Sequence, residues 1–156
     1  MIEDRHPLPS HLMTLLESAR RDIVISCPEA IMPLFDNDDA ISEMLRVARR
    51  ARQTGLRVLL QQFEPVKMQG GRFIHSMQRI PTKAECRLLE EHPEWQPESL
   101  VIIDQAAGLL MPTKTRRPID LSERPEVKAR LNRFNALWDA AHPAHEMRRL
   151  RSGRHV

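Results

Sequence analysis

Two short apolar runs in the second half of the chain place the tightest constraint on its fold. The run Leu100–Ile103 ends at Asp104, and after a turn containing Gly108 a second run, Leu109–Met111, follows. Apolar runs of this length on either side of a Gly-containing turn are typical of two paired antiparallel strands. We therefore predict strands over about Ser99–Asp104 and Gly108–Pro112.

The remaining elements alternate between helices and strands. The β-branched run Ile23–Ile25 predicts a strand that is buried on both faces, as parallel strands are. Asn37 or Asp36 can cap a helix that ends before Gly55, and Arg49, Arg50 and Arg52 suit the negative end of that helix. Predicted helices cover about His11–Arg21 (capped by Ser10), Asn37–Arg52, Arg72–Ile80 and Pro125–Ala141, and further strands cover Asp22–Cys27, Leu56–Gln61 and Ala84–Leu89. An alternative for Ala84–Leu89 is a helical turn that continues to Glu91.

This order predicts an α/β fold. Strand, helix and strand joined by short links form a right-handed parallel unit, so we expect a mixed, mostly parallel sheet flanked by helices on both faces. The chain has 156 residues, of which 41% are hydrophobic, and this suits one domain. We place that domain at residues 1–142 and a basic tail at residues 143–156.

Charge and aromatic content narrow the function classes. The net charge is +3, and the tail accounts for it through Arg148, Arg149, Arg151 and Arg154 against Glu146. Aromatic residues make up only 4% of the chain, which argues against a surface that stacks single-stranded bases. A frayed, solvated chain end is one explanation of the tail, and contact with an anion is the other.

Several site types find no support in the sequence. Cys27 and Cys86 lack metal or redox spacing, and no glycine-rich phosphate loop or Gly-x-Ser-x-Gly elbow occurs. His142 and His145 are read as terminal, exposed histidines. We therefore predict no metal site and no cofactor. No signal peptide or membrane span is recognisable, so we expect a cytoplasmic protein without membrane contact.

Candidate site residues follow from the fold. Ligands of open α/β sheets sit beyond the carboxyl ends of parallel strands, and we expect such ends at Cys27, Gln61 and Asp104. The candidate ligand-binding residues are Asp104, His75, Arg79 and Arg87. Pairing of Arg87 with Glu85, and turn capping by Asp104, are the structural alternatives. Candidate contacts to nucleic acid or another anion are Arg116, Arg117, Arg148, Arg149 and Arg151.

The order of elements, with an apolar strand ending in Asp104, resembles one half of the phospholipase D superfamily. That family's signature is His-x-Lys-x-x-x-x-Asp, in which the His attacks a phosphodiester and the Lys holds the phosphate oxygens. With the family's Asp at Asp104, Ser99 takes the Lys position and Pro97 the His position. The next strand of the family carries Gly-Ser/Thr-x-Asn, whereas Gly108–Thr113 has neither the Ser nor the Asn at those places.

The chain also resembles a bacterial family of degenerate phospholipase D-like modules, some of which are appended to acetyltransferase domains. The segment Gln78–Pro81 carries that likeness through its Arg-x-Pro ending. The resemblance implies a pseudoenzyme, because Pro97 is no nucleophile and Ser99 brings no positive charge to the phosphate. By the same analogy it implies a homodimer and a protein partner such as an acetyltransferase domain.

Three functions stay open from the sequence. The leading hypothesis is a non-catalytic phospholipase D-like module that serves in binding, regulation or assembly. The second is a hydrolase or nuclease with a relocated site built from His75, Arg79 and Asp104, which requires these side chains to converge on one cleft. The third is binding of nucleic acid or an acidic partner through Arg116, Arg117 and the tail arginines.

Overall fold

The computed structural model describes residues 7–27, 35–61, 71–89, 92, 98–112 and 117–143. These residues form an α/β domain with four helices and a seven-stranded mixed sheet. In chain order the elements are α1 (Pro7–Ser18), β1 (Ile23–Cys27), α2 (Asp38–Arg50), β2 (Leu56–Leu60), α3 (Gly71–Gln78), β3 (Ala84–Leu88), β4 (Glu98–Ile103), β5 (Ala107–Pro112), β6 (Ile119–Leu121), α4 (Arg124–Ala140) and β7 (His142–Pro143).

The sheet has the strand order β6-β5-β4-β1-β2-β3-β7. Only the β1–β2 and β2–β3 pairs are parallel, and the pairs β1–β4, β4–β5, β5–β6 and β3–β7 are antiparallel. The α/β class and the mixed sheet are confirmed, whereas the expectation of a mostly parallel sheet is wrong. The reason is that β4 enters the sheet antiparallel to β1, with Ile23 opposite Ile103, and β5 and β6 continue from it as a meander.

Helices cover both faces of the sheet, as predicted, but unequally. On one face α2 packs over β1 and β2, α1 over β5 and α3 over β3, and side chains such as Leu16, Met44 and Phe73 share one core with Ile25 and Val58. On the other face α4 is the one helix that the described residues provide. Its side of this second core is Val127, Phe134, Leu137 and Trp138, and the sheet's side includes Val24, Leu59, Leu100 and Ile102.

Local signals in the sequence explain most element boundaries. Asn37 caps α2 by accepting a hydrogen bond from the Ala40 N–H at 2.9 Å, as one of the two predicted caps. The helix ends at a cap on Ala51, before Gly55. Gly55 lies where a Cβ would stand 2.7 Å from that of Ala51, so its small size serves close packing there. Helix α1 begins at Pro7, so Ser10 lies inside the helix and is not its cap.

The predicted hairpin of β4 and β5 is present, but Gly108, which the sequence placed in its turn, lies in β5 opposite Ile102. Its turn has positive φ at both central residues, 54° at Asp104 and 57° at Gln105, and the Ala106 N–H donates to the Ile103 carbonyl at 3.0 Å. This is type I′ geometry, which matches the twist of the paired strands. Two strands escaped the sequence patterns, β6 and β7, because runs of three and two residues are too short for a periodic signal.

Candidate functional site

The two ends of the parallel strands form two different edges of the sheet. Strands β1, β2 and β3 begin at one edge, and they end at the other, where β4 begins. Because β4 is antiparallel to β1, Asp104 follows β4 at the edge where β1 begins. Asp104 therefore does not lie with Cys27 and Gln61 at the carboxyl edge, and that part of the site prediction is wrong.

Four connections, residues 19–22, 49–55, 79–83 and 104–106, lie at the edge where β1, β2 and β3 begin, and together we call them the basic edge. Backbone hydrogen bonds join them side by side. The Ile23 N–H donates to the Gly55 carbonyl at 2.9 Å, the Gly55 N–H donates to the Lys83 carbonyl at 2.9 Å, and the Asp104 N–H donates to the Asp22 carbonyl at 2.9 Å. The Lys83 ammonium also donates to the Ala51 carbonyl. Segments far apart in sequence thus form one continuous surface.

The carboxylate of Asp104 ties the first and fourth of these connections together. It accepts from three consecutive backbone N–H groups, those of Arg20 at 3.0 and 3.1 Å, Arg21 at 2.6 Å and Asp22 at 3.2 Å. Consecutive N–H groups that converge in this way form an anion-binding nest. In this protein the nest is filled by an internal carboxylate, so Asp104 has a structural role and both of its oxygens are engaged.

Cations dominate the basic edge. Its four connections contain seven cationic side chains and only two carboxylates, Asp22 and Asp104, whereas the whole chain has a net charge of +3. Both carboxylates are engaged, since Asp22 accepts from the Gln105 side-chain amide at 3.3 Å. The exposed cations are Arg20, Arg21, Arg49, Arg50, Arg52 and Arg79. Within the described part of the chain, none of these six guanidinium groups makes a hydrogen bond or an ion pair.

Helix packing brings the second connection close to the first. Arg46 donates to the carbonyls of Leu16 and Glu17, at 3.2 and 3.3 Å, at the end of α1. Arg50 follows one turn later on the same face of α2, because residues four apart share a helix face. It therefore lies beyond the end of α1, on the side of Arg20.

Of the four predicted ligand-binding residues, the structure brings Asp104 and Arg79 to the basic edge and places His75 within α3 and Arg87 within β3. His75 is exposed in the middle of α3, and Arg79 is exposed just after that helix, on the basic edge. No hydrogen bond or ion pair between described residues connects either of them to Asp104. Arg87 belongs to β3 and donates to Glu85 at 2.8 Å, as in the structural alternative, and to the Trp138 carbonyl at 2.8 Å. It therefore packs on α4, away from α3.

A second group of polar residues lies between β2, β3 and α4. The guanidinium of Arg87 stacks on the Trp138 ring at 4.4 Å, and that of Arg57 lies 5.1 Å from the Phe134 ring centre and donates to the Asn135 side chain at 3.2 Å. Burial lowers the pKa of Arg57, which the charge of Asp22 opposes and that of Arg87 reinforces. These partners satisfy one another, and we assign the group to cation–π packing of α4.

The positions that the predicted resemblance assigns to a phospholipase D motif divide between the two ends of β4. Ser99, in the Lys position, is buried near the carboxyl edge and pairs with Met111, whereas Asp104 follows the strand at the basic edge. At about 3.4 Å per residue the two are about 17 Å apart. Pro97, in the His position, lies outside the described residues.

The predicted anion contacts fall mostly outside the described residues. This applies to Arg116, Arg148, Arg149 and Arg151, and Arg117 is exposed just before β6. Among the described residues no cluster of His, Cys, Asp and Glu has the arrangement of a metal site, and no helix is long and apolar enough to cross a membrane.

Sequence reasoning missed the basic edge. It assigned Arg49, Arg50 and Arg52 to the end of α2 and gave Arg20 and Arg21 no role. The sequence did contain a signal, because each of the three helices before a parallel strand ends with arginine or is followed by it. In a parallel unit the connections from helix to strand all lie at the same edge of the sheet. Charge summed along the chain does not reveal this, because the cations are spread from Arg20 to Lys83.

Comparison with known proteins identifies a family and shows a fold similar to that of solved structures. Residues 4–150 match the family model described as "Domain of unknown function (DUF7931)". A search of curated proteins finds no significant match. Among solved structures the chain is similar to TrmBL2, described as an archaeal chromatin protein with a novel mode of DNA binding, with a TM-score of 0.61 and 14% identity. The match covers 86% of this chain and 49% of that chain, so this chain spans about half the length of that relative.

Proposed function

The chain belongs to the DUF7931 family, and we propose that it is a non-catalytic module that binds nucleic acid through the basic edge. The observation that carries the proposal is the set of six exposed guanidinium groups without described partners on one edge of the sheet. Lys and Arg that neutralise phosphates supply most of the affinity of a nucleic-acid-binding surface. The leading hypothesis from the sequence was a non-catalytic binding module, and the present proposal adds that its ligand is a nucleic acid.

A helix-end explanation covers only part of this charge. Arg49 and Arg50 lie in the last turn of α2, where a cation stabilises the helix by about 0.3–1 kcal/mol. That effect fades within the last turn. Arg20, Arg52 and Arg79 come after their helices have ended, so helix stability does not account for them.

The absence of catalysis rests on the chemistry of β4. Ser99 stands where the phospholipase D signature has its phosphate-holding Lys, and Pro97 stands in place of the nucleophile. Asp104 is already committed to three backbone N–H groups. The phospholipase D-like ancestry, the homodimer and the acetyltransferase partner stay predictions from the resemblance.

The likeness to TrmBL2 supports the proposal to a limited extent. TrmBL2 is described as binding DNA, but identity is 14% and the likeness covers 49% of that chain. Such a likeness speaks for the fold, and function has to be argued from the site. The proposal therefore rests on the basic edge, and the DNA binding of the relative is in keeping with it.

The test compares three variants that each lose two positive charges. The edge variant is Arg49→Gln with Arg50→Gln, the control is Lys128→Gln with Arg133→Gln on α4, and the tail variant is Arg148→Gln with Arg149→Gln. Arg49, Arg50, Lys128 and Arg133 are all exposed helical residues. Fluorescence anisotropy with a labelled DNA duplex, over about 50–200 mM salt, measures the affinity and its salt dependence.

We expect the edge variant alone to lose affinity. Each phosphate contact contributes about 0.9 to the slope of log K against log salt, so two lost contacts weaken binding on the order of 10- to 60-fold at about 100 mM salt. Failure of the unaltered protein to bind at low salt would overturn the proposal. An equal loss in the control would show unspecific attraction, and a loss confined to the tail variant would place binding at residues 143–156; either result would overturn the role of the basic edge.

A further inference from the structure

We infer that the basic edge binds a double helix through its phosphates alone and makes no contact with the bases. Each contact is made by two N–H groups of one guanidinium, for which lysine is a poor substitute. This inference rests on the proposed function and names its ligand more closely. Three features of the edge carry it: its lack of aromatic side chains, the direction of the helices that end there, and the predominance of arginine over lysine.

None of the described aromatic residues lies on the basic edge. Single-stranded nucleic acid is held largely by stacking of bases on exposed aromatic rings. Phe35, Phe73, Phe134 and Trp138 are all buried in the two cores. The remaining aromatic residues, Phe63 and Trp95, are outside the described residues.

Three helices, α1, α2 and α3, present their carboxyl ends to the basic edge. Each of α1, α2 and α3 precedes a parallel strand, so each ends where that strand begins. Helix carboxyl ends present carbonyl groups and partial negative charge, so these three helices offer no free N–H groups to a phosphate there. Helix α4 begins at the same end of the sheet, beyond β6, but its N-cap is Glu123 and its first turn contains Glu126, and two acids disfavour a phosphate at that helix start. Direct readout requires a helix or a β-ribbon that enters the major groove, and the four connections of the edge are short loops. Side chains alone remain to make the contact.

The cations of the edge are predominantly arginine. Of the seven, six are Arg, and the seventh, Lys83, donates to the Ala51 carbonyl. A guanidinium group binds phosphate through two parallel N–H groups, whereas an ammonium group acts as a point charge. The arginine-bearing connections lead into three adjacent strands, which are about 4.8 Å apart. The starts of the two outer strands are therefore about 10 Å apart. A DNA duplex carries one negative charge per about 1.7 Å of its axis, a density that suits this concentration of arginine.

A substitution that preserves charge tests the inference. The edge variant is Arg49→Lys with Arg50→Lys, and the matched control is Arg133→Lys with Lys128→Arg on α4, which leaves the composition unchanged. Each protein is titrated with two duplex DNAs of equal length and scrambled sequence, with one of the single strands, and with an RNA duplex. The RNA arm tells whether the double helix in question is DNA, RNA or either.

We expect the two duplex sequences to bind within about twofold of each other, because phosphate contacts carry no sequence information. We expect the duplex to bind more tightly than the single strand, and the lysine variant to bind severalfold more weakly than the control. A tenfold sequence preference, tighter binding of the single strand, or equal affinities of lysine variant and control would each overturn the inference while leaving nucleic-acid binding intact. No binding of any nucleic acid would overturn the proposed function itself.

Discussion

Replacement of Asp104 tests whether its carboxylate holds the basic edge together. The carboxylate accepts from three backbone N–H groups at 2.6–3.2 Å. A hydrogen bond to a charged group contributes about 1.5–3 kcal/mol, and water can replace part of this at the exposed N–H groups of Arg20 and Arg21. Loss of the acceptor in Asp104→Gly or Asp104→Ala should therefore lower the free energy of unfolding by about 3–4 kcal/mol. In a chain of this size that corresponds to roughly 6–16 °C in Tm.

Two further comparisons separate the carboxylate from the backbone conformation. Asp104 has a φ of 54°, which glycine adopts freely and asparagine tolerates. Asp104→Asn keeps one acceptor oxygen and the turn, and should cost about 1–2 kcal/mol. If only the left-handed conformation mattered, Asp104→Gly would be as stable as the unaltered protein.

The assay is equilibrium unfolding in urea, followed by circular dichroism, with the dependence on denaturant compared between variants. A destabilisation of Asp104→Gly below about 0.5 kcal/mol would refute the structural role of the carboxylate, since surface substitutions typically fall within that range. The same variants extend to function. A folded Asp104→Asn protein with unchanged DNA affinity would show that Arg20 and Arg21 need no help from the carboxylate to take part in binding.

Other substitutions test the fold. Asn37→Ala removes the cap of α2 and should cost about 1 kcal/mol in urea unfolding, whereas Asn37→Ser should cost little; equal losses would contradict a capping role. Gly108→Ala places a Cβ 2.6 Å from the Val101 carbonyl oxygen and should cost about 1–3 kcal/mol, measured as a lower Tm; an unchanged Tm would show that β5 can shift. Trp138→Ala should cost about 3–5 kcal/mol, and Trp138→Phe, which keeps a ring beside Arg87, clearly less; similar losses would argue against the cation–π contact.

Local sequence signals were sufficient for much of the fold. The β-branched run of β1, the acids and cap that open α2, and the hairpin at Asp104 each act over a few residues, and each element is present. The pairing of Arg87 with Glu85 was also foreseeable, because residues two apart on a strand share a face. The strand β6 and its contact with β5 were not, since three residues carry no period.

The direction of β4 was beyond the reach of local signals. An apolar strand reads the same whether its neighbour is parallel or antiparallel, so the sequence by itself left open which edge Asp104 would occupy. The tertiary structure shows that Asp104 lies at the edge where β1 begins. Asp104 was a candidate ligand-binding acid, and its carboxylate instead accepts hydrogen bonds from the backbone just before β1.

The same division applies to the candidate site. The amino-acid sequence determined that this chain would be an α/β domain with arginines near its helix ends. Only the tertiary structure brought Arg20, Arg50 and Arg79 to one edge, because parallel strands connected through helices return every helix end to the same side of the sheet. The topology of the chain gathers cations that are far apart in sequence on one surface. Comparing residues that are neighbours in the sequence cannot detect such a surface.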